Sequence, residues 1–225
     1  IEKRKKAILK ALEEQHVLTD DLSQKVKIIQ DLTSLEDLYL PYKKKRKTKA
    51  ETARLLGLEP LAKMIMSQRV NNIEATALKY TSNKIETIEN ALEGARFIIA
   101  EWINERIDIR NNMRHQIQRF GMISSKVIKT KIDDEKALKF KDYFNWEESL
   151  NRIPSHRLLA ILRAENEGFI RIKIEIDKER ALQKIEDRII RSKNECSEQI
   201  KLAIQDAYKR LLFPSLSNEA LSDAK

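Results

Sequence analysis

Glycine and proline are scarce in this chain, with four of each in 225 residues. So few chain-reversing residues argue against a fold made of many tight turns and favour long helices. A single cysteine, Cys196, rules out an intrachain disulfide and a multi-cysteine metal site. It falls in an apolar helical register and reads as a small core residue. No apolar run approaches the roughly 20 residues that a membrane span needs, and no secretory signal opens the chain. There is no phosphate-binding glycine loop and no dinucleotide fingerprint. His16, His115 and His156 are too far apart to form an H-x-x-x-H zinc pair. Neither a cofactor nor a metal is implied. The chain opens IEKRKKAILKALEEQ, without Met and already inside a helical pattern, so it reads as a piece of a longer protein.

Charge, by contrast, is plentiful: Asp, Glu, Lys and Arg make up 35% of residues, against 41% apolar. The net charge is +9, and six of those nine charges come from Lys43, Lys44, Lys45, Arg46, Lys47 and Lys49. The rest of the chain is close to balanced. Such a concentrated site creates a local field that attracts polyanions and weakens with salt. Three readings compete. The run contacts nucleic-acid phosphates, with Arg54, Lys63 and Arg69 assisting; it is a K/R-rich nuclear-targeting signal; or it is a solvated loop that offsets acids elsewhere.

Periodicity supports mainly helix. Ile1, Ile8, Ala11 and Leu12 share a face of residues 1–15. Thr19 is a candidate N-cap for a helix carrying Leu22, Val26 and Ile29, and Ser34 for the turn LEDLYL before Pro41. Thr48 caps KAETARLL, Gly57 ends it, and Pro60 falls in the first turn of the next helix. This pair resembles a helix-turn-helix, with PLAKMIMSQR in the recognition position and Lys63, Gln68 and Arg69 as its base-reading candidates. An ordinary αα-hairpin is the plainer alternative. Ile88, Leu92, Ala95, Ile99 and Trp102 mark one buried helical face. A helix over 108–120 ends at Gly121. Residues 122–132 are ambiguous, and DDEKALKFKDYF reads as helix. Ser155 is a candidate cap for a helix ending at Gly168.

FIRIKIEI (169–176) is the one clear strand, with Ile at every second position. A lone strand needs a partner, which residues 122–132 can supply. Two long helices close the chain, the second carrying Cys196, Ile200, Ala203, Ala207 and Leu211 and stopping at Pro214.

Catalytic constellations are weak. Asp133, Asp134 and Glu135 suit a helix start better than a divalent-ion site. Glu101 and Glu105 read as a solvated face. Ser155 and His156 are adjacent, a poor geometry for nucleophile and base, and no oxyanion motif accompanies them.

LEDLYLPYKKKRKTKAETARLLGLEPLA closely resembles a signature of the bacterial Tex family of transcription accessory proteins. The likeness continues through EGARFIIAEWINE, KFKDYFNWEESLNRIPSHRLLAILRAENEG and the last helical stretch. The family commonly has a second proline in the basic segment, where Lys44 follows Lys43 here. The resemblance implies a cytoplasmic, multi-domain, non-catalytic protein, of which this chain is the N-terminal helical region. RNase H-like, helix-hairpin-helix and OB-fold RNA-binding modules would follow it. Nucleic-acid binding in the family is chiefly associated with the OB-fold. The resemblance also disfavours nuclear targeting.

The expectation is therefore an all-α, elongated, multi-helix assembly with a helix-turn-helix-like element and one small β element. Residues 1–70 would carry the basic loop and the helix pair. Residues 71–225 would carry the strand and the helices leading to downstream domains. The partners expected are RNA or DNA through phosphate contacts, the transcription machinery and the rest of the same protein, with no membrane. The alternative is an interaction scaffold with little nucleic-acid affinity of its own.

Overall fold

A computed structural model describes residues 1–44 and 48–223. They form two compact units. One comprises Ile1–Ile107 with Ser192–Ala203; the other comprises Asp108–Arg191 with the chain from Ile204 onward. The architecture is mainly helical with one small antiparallel sheet.

In the first unit, α1 (Glu2–Glu14), α2 (Asp20–Ile28) and α3 (Leu32–Tyr39) enclose a cluster of Ile8, Leu12, Leu22, Val26, Leu35 and Tyr39. The spacing of those residues puts one apolar stripe on each helix. Thr19 Oγ1 accepts from Leu22 N–H and caps α2 as expected. The cap of α3 is Asp31 rather than Ser34: Asp31 Oδ1 accepts the Ser34 N–H at 2.7 Å. A carboxylate there also meets the positive end of the helix dipole, which a serine hydroxyl does less well. Lys5 is buried, and its ammonium donates to the Lys27 carbonyl in the last turn of α2 at 2.8 Å. Arg4 and Glu36 form a two-pronged pair between α1 and α3, with Nη2 to Oε2 at 2.9 Å.

The next helices are α4 (Lys49–Leu55), α5 (Glu59–Ser67), α6 (Ile73–Leu78) and α7 (Ile88–Glu105). The first three all pack on α7. That helix is buried well beyond the single face expected from its spacing: Ala91, Gly94, Ile98, Ala100, Glu101 and Ile103 are covered along with Leu92, Ala95 and Ile99. Ile88 and Trp102 are only half-buried. Gly94 is the point of closest approach. A Cβ there would lie 2.3 Å from Leu58 Cδ1, and Leu58 is 1% exposed. Leu58 follows Gly57, whose φ of +79° turns the chain between α4 and α5 without the steric cost a side chain would carry.

The second unit contains α8 (Ile107–Phe120), β1 (Met122–Val127), β2 (Asn145–Ser149), α9 (Ser155–Asn166), β3 (Ile170–Glu175) and α10 (Lys178–Ile189). The strands form an antiparallel sheet in the order β2-β1-β3. The expected strand finds its partner in the ambiguous segment, with Ile123 opposite Ile174 and Ser125 opposite Ile172. The third strand, β2, is a finding. Its inward side carries Glu148 as well as Trp146, so its sequence does not alternate cleanly; Arg157 on α9 offsets that carboxylate at 2.5 Å. The inner side packs on α9 through Phe140, Ile161, Ala164, Phe169 and Ile170.

Three helix readings change. Residues 133–144 form a turn and a 3-10 segment (Leu138–Tyr143) rather than an α-helix, and Phe140 has non-helical φ/ψ. Its ring faces Phe169 at 5.8 Å, so local helicity gives way to core packing. For α9, Pro154 occupies the cap position and Ser155 is the first helical residue, with no side-chain cap. Pro214 does not stop the last helix. After α11 (Glu195–Asp206) the backbone widens to π-helix over Ala207–Leu212, then continues as α12 (Phe213–Asp223). The Phe213 N–H bonds the Tyr208 carbonyl, five residues back. The wider turn lets the chain pass a residue that has no N–H to donate.

Two outcomes are expected. Gly94→Ala should destabilise the protein by roughly 1 kcal/mol or more despite its better helix propensity, because Leu58 must give way. In a Leu58→Ala background the same change should become stabilising; a urea-unfolding double-mutant cycle reads the sign. In the second unit, burial and the nearby Asp177 charge push the Tyr208 phenol up to about 12. The folded state therefore holds that proton after the unfolded chain has lost it. Stability present below pH ~10 should fall by roughly 2 kcal/mol as pH rises toward 12, and Tyr208→Phe should flatten that loss in alkaline unfolding curves.

Candidate nucleic-acid interface

The basic run lies between a 3-10 turn, Leu40–Tyr42, and the start of α4. Both flanks are anchored. Pro41 is the second residue of the turn, which packs on α7. At the other end Thr48 Oγ1 accepts the Glu51 N–H at 3.0 Å and caps α4. Ala50 and Ala53 then let α4 lie close on α7.

The structure sorts the six described cations of the nine predicted into different environments. Lys43 and Lys44 are exposed. Lys45, Arg46 and Lys47 lie outside the described residues. Lys49 places its ammonium 4.5 Å from the centre of the Phe97 ring. Arg54 turns inward: Nη1 is 2.5 Å from Oε2 of buried Glu101, with Glu51 at 3.6 Å and Glu59 at 3.8 Å. Lys63 is paired with Glu59 at 2.9 Å, a hydrogen bond that holds the Glu59 carboxyl below the usual carboxylate range. Arg69 is exposed just beyond α5. Gln68 is an internal latch. It has a left-handed backbone (φ 57°), its carbonyl accepts from Asn194 Nδ2 at 2.9 Å, and its Oε1 accepts from Ser192 N–H at 3.2 Å.

Lys43, Lys44 and Arg54 share one cleft of about 610 Å³. Its walls also include Gln15 and Val17 from the end of α1 and the loop after it, Tyr42 beside the lysines, and Trp102 and Glu105 from α7. Lys63 and Arg69 are not among its walls. Tyr42, Trp102, Gln15 and Val17 escaped the sequence reading. Spacing assigned Trp102 to a buried face, and nothing local ties residues 15–17 or 42 to residue 102.

A second depression, of about 630 Å³, lies on the outer side of the sheet beside Lys126, Arg171 and Lys173. Glu147 and Glu175 share it, and Lys173 is paired with Glu175. Its charge is mixed. The acidic triplet builds a turn. The Asp134 carboxylate meets Lys131 at 3.1 Å and accepts the Lys136 N–H at 3.0 Å, contacts that lower its pKa. Among the described residues no group of three or more His, Cys, Asp or Glu is placed to hold a metal.

The family model described as Tex central region-like matches residues 68–223. The chain belongs to the Tex family. It is 36% identical over 231 residues to the transcriptional accessory protein Tex of Neisseria gonorrhoeae, covering 100% of this chain and 30% of that protein. To YdcI of Bacillus subtilis it is 36% identical over 223 residues, covering 97% and 31%. To the human S1 RNA-binding domain-containing protein 1 it is 26% identical over 202 residues, covering 82% and 20%. The chain thus spans about a third or less of the length of these Tex relatives. No helix among the described residues is long and apolar enough to cross a membrane.

Arg54 illustrates how a Tex cation can act structurally. Arg54→Met should destabilise the protein by roughly 3 kcal/mol, because it removes the guanidinium that lies 2.5 Å from the buried Glu101 carboxylate. The double change Arg54→Met with Glu101→Leu should recover most of that loss in urea unfolding.

Proposed function

We propose that this chain is the N-terminal and central part of a longer cytoplasmic Tex protein and binds nucleic acid in the service of transcription, without catalysis of its own. Its partners are RNA or DNA, the transcription machinery and the downstream domains of the same protein. The observation that carries this reading is the exposure of Lys43 and Lys44 at the rim of the cleft, with four more basic residues within the next five positions. Phosphate contact by such a run releases counterions and needs no base recognition. Two relatives, a transcriptional accessory protein and an S1 RNA-binding domain-containing protein, support the same direction. Lys43, Lys44, Lys45, Arg46 and Lys47 are the proposed phosphate contacts, with Lys49 contributing charge from the start of α4. Arg69 assists from its exposed position, and Arg54 and Lys63 act through their acidic partners.

A scaffold reading also draws on a specific observation: Leu55, at the end of α4, is 81% exposed, and Ile28 is 73% exposed. Isolated apolar residues at a surface are ordinary, so this reading stands second.

The test is binding of labelled duplex and single-stranded oligonucleotides at several salt concentrations. The parent should show a log–log salt slope of roughly −4 to −5 if all six cations engage. Replacing Lys43, Lys44, Lys45, Arg46, Lys47 and Lys49 by Gln should remove most of both slope and affinity. Equal, weak binding by parent and variant would reject the phosphate-contact reading and leave the scaffold.

A further inference from the structure

The pairing pattern around α4 and α5 bears on which form of nucleic acid this site takes. A duplex reader needs side chains free to reach base edges from the helix after the turn. On α5 and just beyond it, Lys63 is held by Glu59 and Gln68 is turned inward onto Ser192 and Asn194. Of the three base-reading candidates, Arg69 is exposed just beyond α5. The cleft beside the basic run offers something different: two half-buried aromatic side chains, Tyr42 and Trp102, in the wall that also holds Lys43 and Lys44.

Aromatic rings beside a cationic track are the parts of a single-strand site. The cations follow the phosphates, and each ring takes the face of an unpaired base. In a duplex those faces are stacked on one another and out of reach. The cleft is large enough for small-molecule-sized groups such as nucleotides. The lysines stand at the rim and the rings line the wall, an arrangement that takes the base inside and the phosphates at the rim.

We infer that the cleft between the Leu40–Tyr42 turn and α7 is a stacking site for single-stranded nucleic acid. An unpaired base lies against Trp102 or Tyr42, and the flanking phosphates lie against Lys43 and Lys44. This deepens the function proposed above and rests on it, since the same lysines are used.

The chain has two tryptophans, Trp102 and Trp146, so Trp146→Phe isolates the Trp102 signal. That variant is titrated with oligo(dT), oligo(rU) and a mixed-sequence duplex at low salt, following tryptophan emission and, separately, the anisotropy of labelled strands. The expected result is quenching of Trp102 by the single strands and not by the duplex. In the otherwise native chain, Trp102→Ala should weaken single-strand binding roughly tenfold or more with the salt slope kept, and Trp102→Phe should recover much of it. Unfolding curves check that both variants fold. If Trp102→Ala fails to fold, the quenching titration and Trp102→Phe still decide. Lysine-dependent binding with no change in Trp102 emission, or equal quenching by duplex, would overturn the stacking site and leave the phosphate-contact function standing. No binding of any strand at low salt would overturn both.

Discussion

A missing side chain organises the first unit. At Gly94 the α7 backbone leaves room for Leu58, the residue that closes the turn between α4 and α5. Interiors pack densely and tolerate little overlap, so this one vacancy sets how deeply the helix pair sits. The depth has consequences at a distance in sequence. It brings Ala50 and Ala53 against α7, puts the Arg54 guanidinium on the Glu101 carboxylate, and fixes α4, whose N-cap receives the basic run. Trp102, two turns along α7 from Gly94, thereby faces the same cleft as Lys43 and Lys44.

Charge in this protein divides into two kinds of use. Arg4, Lys5 and Arg54 hold elements together through defined partners. In the second unit Arg114 does the same, gripping Glu219 of α12 with Nη2 to Oε2 at 3.0 Å. Lys43 and Lys44 instead stand in solvent on the cleft rim. A cation already bonded to a buried carboxylate contributes little to a field outside the protein, whereas exposed neighbours of like sign reinforce one another until salt screens them. Cation count alone therefore overstates the interface. Arg54, bonded to buried Glu101, is held inside the unit, whereas Lys63 remains exposed beside Glu59.

The second unit solves a different problem, that of a short strand with unpaired backbone. β1 lies in the middle and satisfies both neighbours. On β3, Glu165 Oε1 also accepts the Ile172 N–H at 2.8 Å. Ser125, almost fully covered, donates to the Tyr143 carbonyl at 2.7 Å and ties the sheet to the 3-10 segment.

Much of this was legible in the sequence because it depends on neighbours within one or two turns. Thr19 and Thr48 as caps, Gly57 and Gly168 in left-handed turns, the isoleucine alternation of β3 and the concentrated basic run all follow from local sterics and periodicity. Other features were not legible. β2 carries an inward Glu148 that makes sense only once Arg157 is beside it. The π-helical turn over Ala207–Leu212, just before Pro214, has no marker in local periodicity. The Arg54–Glu101 pair and the meeting of Tyr42 with Trp102 in one cleft join residues far apart in the chain. Sequence by itself determined which segments could be helix or strand and where positive charge concentrates, because those properties are set by adjacent residues. Only the tertiary structure decided which of those charges and rings face solvent together, because that is settled by packing on α7.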